Sequence, residues 1–229
     1  MGTFGGPDII TDGLVLALDA GSTRSYPGTG TTWSDLSGDE NNSALVNGVG
    51  FSTDNGGTLT FDGADDYAQV DSSTSLIVDT RTVEIIFRMD GAYSDFAPLA
   101  IYANGSSSTN RIWLGLQSSK FQMHGWGTTD PSATTTISSN QFYICTFSFS
   151  KASEQMKMYT NGQLETTMTN TQGGVYAAAN MNWYLATVPG GWQSQTYSNV
   201  DISSFKMYNR ILTDAEVLQN YNAQKNRFI

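Results

Sequence analysis

The sequence predicts an all-β chain folded as a two-sheet antiparallel sandwich with one short C-terminal helix. Three observations lead there. Apolar and polar residues alternate with a period of two in segment after segment, Asn-Gly and Asp-Gly pairs stand between those segments, and no strand–helix–strand alternation occurs. A closed barrel would carry the same signature and stays open as the alternative.

The first alternating run is residues 14–19, followed by 58–61 and 68–70. Residues 83–89 are the clearest, with Val83, Ile85, Phe87 and Met89 on one face and Glu84, Ile86 and Arg88 on the other. Further strands are expected over 99–102, 111–116, 121–124, 142–149, 155–160, 181–186 and 202–208. Turns are expected at Asn47-Gly48, Asp62-Gly63, Asp90-Gly91, Asn104-Gly105 and Asn161-Gly162, because Asn and Asp tolerate positive φ and Gly adopts it freely. The last is the best hairpin, since Met156, Met158 and Thr160 alternate before it and Leu164 follows. Residues 127–140 read as a long loop. One helix is expected, opened by the capping box Thr213-Asp214-Ala215-Glu216 and burying Val217, Leu218 and Tyr221. So short a helix needs the sheet beneath it to be stable.

A length of 229 residues suits one domain with a proper core. The expected division is an N-terminal arm over 1–12, the sandwich over 13–224 and a tail over 225–229. Eleven Lys and Arg against 21 Asp and Glu leave a net charge of −10, and the basic residues form no run, so nucleic acid is not an expected partner. No apolar stretch is long enough for a membrane span, and the first residues carry neither a basic nor an apolar leader region. Cys145 is the sole cysteine, which excludes an intrachain disulfide and cysteine-built metal sites; its apolar setting predicts a buried, inert thiol.

Several stretches go beyond pattern. Trp33-Ser34-Asp35-Leu36-Ser37-Gly38, Asn41-Asn42, Val46-Asn47-Gly48 and the run from Gly57 to Tyr67 (GTLTFDGADDY) resemble the opening of a laminin-G-like domain. Met158-Tyr159-Thr160-Asn161-Gly162-Gln163-Leu164 resembles that family's central hairpin, and the run from Lys206 to Val217 its closing strand and helix. The family belongs to the concanavalin-A-like lectin and glucanase jelly rolls, so the resemblance implies a jelly roll from about Leu14 to Tyr221. The run from Asp12 to Gly21, with Ser25-Tyr26-Pro27-Gly28 and Thr31-Thr32-Trp33, further resembles laminin-G-like proteins of tailed bacteriophages. That implies a structural or adhesive virion-surface protein, made in the bacterial cytoplasm, acting as a capsid decoration, fibre or tail appendage; a free carbohydrate-binding lectin-like module is the alternative. Its partners would be other virion proteins, through the arm, and host-surface polysaccharide; a homo-oligomer stays open.

The glucanase branch uses a strand motif E-x-D-x-x-E, whose carboxylates act as nucleophile and general acid. Here Glu84 is followed by Ile86 and Met89 at the other two positions, so Glu84 is expected on the solvent face or as a cross-strand partner. His124 is the sole histidine and the only base a Ser-His-Asp triad could use; an exposed strand histidine is the competing reading. The chain is therefore expected not to be an enzyme. Asp35, Asn41, Asp62, Asp65 and Asp66 lie in the family-like segments and offer hard oxygens for a structural Ca²⁺, or ordinary turn and capping roles. For glycan contact, Trp192 with Gln193 and Tyr197 in a glycine-led loop, and Trp126 between Gly125 and Gly127, offer flat rings and hydroxyl partners. Trp192 could equally cover a sheet edge or a neighbouring subunit. Trp33, Trp113 and Trp183 are expected in the core or on a sheet face.

Overall fold

The computed structural model describes residues 7–93, 96–104, 112–125, 130–169, 180–189 and 197–228. In chain order the strands begin with β1 (Leu14–Asp19), β2 (Thr32–Trp33), β3 (Ser43–Val46), β4 (Gly50–Ser52), β5 (Thr58–Asp62) and β6 (Tyr67–Val70). They continue with β7 (Arg81–Met89), β8 (Phe96–Ala103), β9 (Ile112–Gln117), β10 (Lys120–Gly125) and β11 (Ser132–Thr136). The last are β12 (Phe142–Ser150), β13 (Gln155–Thr160), β14 (Gln163–Thr169), β15 (Asn182–Leu185) and β16 (Asn199–Tyr208), before helix α1 (Asp214–Gln224).

Two separate sheets form, which decides against the closed barrel. One runs β14-β13-β12-β7-β16-β5-β4, with β1 also on β16; the other runs β11-β10-β9-β8-β15-β6-β3-β2. Their facing sides make one core. Val83, Ile85, Phe87 and Met89 meet Trp183, Tyr102, Leu114 and Met123 there, so the face read from alternation is the inward one. Cys145 lies in this core with no exposure, and burial pushes its thiol up and out of reach of ionisation at neutral pH. Trp33 and Trp183 are core residues, whereas Trp113 sits on the outer face of the second sheet with Ile101 and Val188.

Strand β16 breaks the simple period. Val200 and Ile202 point inward, then Phe205 and Met207 do, because a bulge between Ile202 and Ser204 shifts the parity. On one side β16 pairs with β5 through residues 199–202 and with β1 through 204–208, so the bulge falls where one neighbour hands over to the other. Arg227 fills that seam. Its guanidinium reaches Asp19 Oδ1 at 2.7 Å, Ser203 Oγ at 2.9 Å, and the carbonyls of Gly57, Gly56 and Asn55 at 3.0, 3.2 and 3.1 Å. The C-terminal tail is thus docked through Arg227, and Phe228 packs on Phe142 at 5.0 Å between ring centres.

The N-terminal arm is also docked from Asp8 onward. Ile10 N–H donates to Asn220 Oδ1 at 2.8 Å, Tyr208 OH donates to the Ile10 carbonyl at 3.1 Å, and Gln219 holds the Asp8 carbonyl at 2.8 Å. Of the arm expected over 1–12, residues 8–12 are thus seated on the domain, where the apolar side chain of Ile10 finds cover against Tyr159, Leu212 and Val217. Residues 1–6 lie outside the described residues.

Within the segment expected to be a loop, residues 132–136 form edge strand β11. Its sequence, SATTT, carries little apolar signal, and only Ala133 is buried. The strand is held from outside: the Glu165 carboxylate on β14 accepts from the Thr134 and Thr135 amides at 2.9 and 3.1 Å and from both hydroxyls. Burial raises this carboxyl, but those four donors together hold it below the usual range. The short strands β2, β3 and β4 likewise give too few residues for a period to show.

Helix α1 starts with the expected capping box, Glu216 N–H to Thr213 Oγ1 at 3.2 Å and Thr213 N–H to Glu216 Oε2 at 2.7 Å. Arg210 grips the same carboxylate at 2.7 and 3.0 Å and draws it down to about 2. The Asn161-Gly162 hairpin packs on the helix: both residues have positive φ, and a Cβ on Gly162 would stand 2.8 Å from Tyr221 Cβ. The helix face differs from expectation. Val217 and Asn220 are buried while Leu218 is exposed, because the sheet surface beneath is polar. There Lys206 meets Glu84 at 3.3 Å, Ser204 at 2.7 Å and Gln224 at 2.5 Å. Asn220 and Gln224 also donate to Glu84, at 3.4 and 2.9 Å. Glu84 is hence a cross-strand partner, as one reading had it, and not a solvent-face residue: α1 covers it to 1 % exposure.

Two outcomes follow from these contacts. Glu84→Ala strands the Lys206 ammonium in a covered site and is expected to cost about 3–5 kcal/mol, whereas Glu84→Leu with Lys206→Met costs clearly less; urea unfolding of the three proteins checks this. Arg227→Ala is expected to cost about 2 kcal/mol or more, and Arg227→Lys to recover less than half, since an ammonium cannot span Asp19 and three carbonyls. An unchanged midpoint for Arg227→Ala would refute the seam role.

Candidate functional site

The most developed polar site lies at the end of the first sheet where β5, β7 and β16 finish. Strand β5 delivers Asp62, whose Oδ1 accepts from the Ala64 amide at 2.8 Å and so bends the chain into a turn carrying Asp65 and Asp66. Carboxylate oxygens of Asp62, Asp65 and Asp66 all lie within 4.8 Å of one another. Asn47, at positive φ in its own turn, donates to the Asp65 carbonyl at 2.9 Å and braces this loop. Pairing Asn199 with Asp62 and Asp201 with Arg88 brings two further strands to the same rim. The result is a depression of about 540 Å³ lined by Asp62, Asp66, Asp90, Asn199 and Asp201, with Arg88 as the one cation among its lining residues.

Its electrostatics are unbalanced. Arg88 is committed to Asp201, at 2.5 Å from Nη2 and 2.9 Å from Nε, and its guanidinium lies over Phe142. Burial raises the Asp201 carboxyl, opposed by Arg88 and abetted by Asp90. Asp66 is only 4 % exposed. Burial pushes its carboxyl up; a hydrogen bond from the Asp62 amide opposes this, and the charges of Asp62 and Asp65 add to it. Crowded hard oxygens with one nearly buried member fit a divalent cation such as Ca²⁺, which takes six to eight oxygen ligands. Such an ion would bind the 62–66 turn together and relieve the repulsion.

The five residues read from sequence as Ca²⁺ ligands divide. Asp62, Asp65 and Asp66 come together, while Asp35 and Asn41 are employed elsewhere as loop organisers. Asp35 accepts from the amides of Ala17 and Ser37 through Oδ1 and from the Asn41 amide and Ser37 hydroxyl through Oδ2. Asn41 donates to the Val15 carbonyl at 2.7 Å and to Ser75 at 2.9 Å. Arg88, Asp90, Asn199 and Asp201 were not singled out as site residues. The available signal was a charge on the outward side of an apolar strand, at Arg88 and at Asp201 between Val200 and Ile202, but nothing local joins strands more than a hundred residues apart.

Of the aromatic candidates, Trp192, Gln193 and Trp126 lie outside the described residues. Tyr197 is half-buried in a bridge with Thr187. His124 is half-buried rather than exposed, with its ring 4.8 Å from Trp113 and 5.6 Å from Phe96. Its Nδ1 meets Asp130 Oδ2 at 2.6 Å, and Nε2 is buried with no hydrogen-bond partner among the described residues. A triad needs a hydroxyl at that second nitrogen, and none stands there among the described residues.

No curated protein matches the chain. Among solved structures, the binding domain of Paraclostridial Mosquitocidal Protein 1 superposes with a TM-score of 0.70 at 16% identity, over 93% of this chain and 52% of that one. Domain 4 of AbnA, a GH43 extracellular arabinanase from Geobacillus stearothermophilus, in complex with arabinotriose, gives 0.68 at 14% identity over 91% and 98%. Trypanosoma rangeli sialidase in complex with sialic acid gives 0.66 at 18% identity, over 94% of this chain and only 34% of the sialidase. The chain thus spans about a third of the sialidase and half of the toxin domain, and at these identities the likeness is one of fold. A laminin-G family model described as the concanavalin A-like lectin/glucanases superfamily matches residues 62–218, over half the chain. With the paired sheets, the hairpin and the capped closing helix, that match makes the chain a member of the concanavalin A-like lectin/glucanase superfamily.

Proposed function

We propose that the chain is a non-catalytic binding module of a tailed-bacteriophage virion, made in the host cytoplasm and displayed on the particle, where it holds host-surface polysaccharide. One observation carries the non-catalytic reading. The strand glutamate that the glucanase pattern would use, Glu84, is sealed under α1 and shared by Lys206, Asn220 and Gln224, with Ile86 and Met89 in the companion positions. A general acid and a nucleophile must both reach a glycosidic bond, and neither can from there.

The glycan reading draws support from the arabinanase domain, whose structure holds arabinotriose, and the reading as a binding module from the toxin binding domain. Trp192 and Trp126 are the stacking residues of this proposal, with Gln193 and Tyr197 beside the sugar hydroxyls. The virion reading draws support from the resemblance of residues 12–33 to phage laminin-G-like proteins, and residues 8–12, seated beside α1, root the contact with other virion proteins. Mass spectrometry of purified particles tests it: a fixed copy number per particle is expected, and presence only in the lysate supernatant would refute it.

The same proposal places a structural Ca²⁺ on Asp62, Asp65 and Asp66. Millimolar Ca²⁺ over chelator is expected to raise the melting midpoint by about 3–8 °C, and Asp66→Asn to abolish the rise. A midpoint indifferent to both sinks the ion but not the module.

A further inference from the structure

We infer that a second depression, between the 20–28 and 51–57 loops, is a binding site for one ring of a neutral saccharide; the inference rests on the glycan-binding reading and assigns it residues other than Trp192 and Trp126. The cavity holds about 340 Å³, within the usual span of small-ligand sites. Its apolar side is Tyr26, Pro27 and Phe51; its polar side is Thr23, Thr53 and glycine backbone. No charged side chain lines it.

The aromatic surface is prearranged. Tyr26 is 4 % exposed, donates its hydroxyl to the Gly30 carbonyl at 3.1 Å, and sets its ring 5.3 Å from Phe51 at 58°. Phe51 is thereby held half-buried, with ring surface left to the cavity. The rear wall is tight: a Cβ on Gly21 would fall 2.0 Å from the Gly56 carbonyl oxygen and 2.1 Å from Arg227 Nη2, and one on Gly57 would fall 2.7 Å from the Ala20 carbonyl oxygen. Arg227 locks this wall from behind through the carbonyls of Gly56 and Gly57 and is not itself a lining residue. A wall without side chains admits a ring close to the main chain, and one fixed by a guanidinium loses little entropy on binding.

The chemistry selects the ligand. A pyranose offers a C–H face to Phe51 and hydroxyls to Thr23 and Thr53, which both accept and donate. An anionic sugar finds no charged side chain among the lining residues, the nearby Arg227 being taken up by Asp19 and backbone carbonyls, and the chain carries a net charge of −10.

The test uses the full chain and neutral trisaccharides of glucose, galactose, mannose and N-acetylglucosamine, with glucuronic acid and a proline-rich peptide as counter-probes, read by calorimetric titration. At least one neutral trisaccharide is expected to bind, and Phe51→Ala to weaken it about tenfold. Thr23→Trp, at an exposed position where folding is not at stake, is expected to block it, and Leu164→Ala, exposed on β14 and not among the lining residues, to leave it. Binding that survives Phe51→Ala and Thr23→Trp but is lost in Trp192→Ala overturns this site and keeps the glycan-binding reading. Failure of the wild type to bind any neutral trisaccharide overturns both, and a preference for glucuronic acid or the peptide overturns the site.

Discussion

Strand β16 has to serve two neighbours on one side, and the rest of the molecule is arranged around that demand. Hydrogen bonding to β5 and then to β1 is possible only because the bulge at Ser203 resets which residues face the core. A bulge leaves backbone groups and a buried hydroxyl to satisfy, and a strand junction leaves loose carbonyls. One guanidinium answers several of these at once: Arg227 joins the end of β1, the turn before β5 and Ser203 of β16. The C-terminal residues thus belong to the sandwich, and the glycine wall of the smaller cavity is a by-product of the same closure.

The outer faces of the two sheets have different fates. On the first, α1 and the docked residues 8–12 cover a surface that holds a carboxylate and an ammonium, so the helix is pinned by polar contacts as much as by Val217. Burying such a pair is of doubtful benefit to net stability, but its directional bonds fix where the helix sits. That placement closes Glu84 off from solvent.

Negative charge gathers instead at the strand ends. Asp62, Asp65 and Asp66 come from one turn, and Asp90 and Asp201 arrive from strands that only the sheet brings close. Arg88 pairs with Asp201 and leaves the charge of the triad unbalanced. The cavity lined by Tyr26, Phe51, Thr23 and Thr53 has no charged side chain among its lining residues and so differs in character from this acidic rim.

What was legible in the sequence is what nearest neighbours decide. Period-two alternation named the inward face of β7, because side-chain direction along an extended chain is a local property. Asn161-Gly162 and the Thr213–Glu216 box were legible because turn and cap chemistry act within four residues. Only the tertiary structure decided the rest. It buried Glu84 and Asn220, exposed Leu218, seated the arm and tail, made a strand of SATTT and parted Asp35 and Asn41 from the aspartate triad. Each of these depends on a partner distant along the chain, such as Lys206 for Glu84 or Glu165 for Thr134 and Thr135. A solvation energy or a hydrogen bond set by such a partner leaves no periodic trace in the residues that feel it.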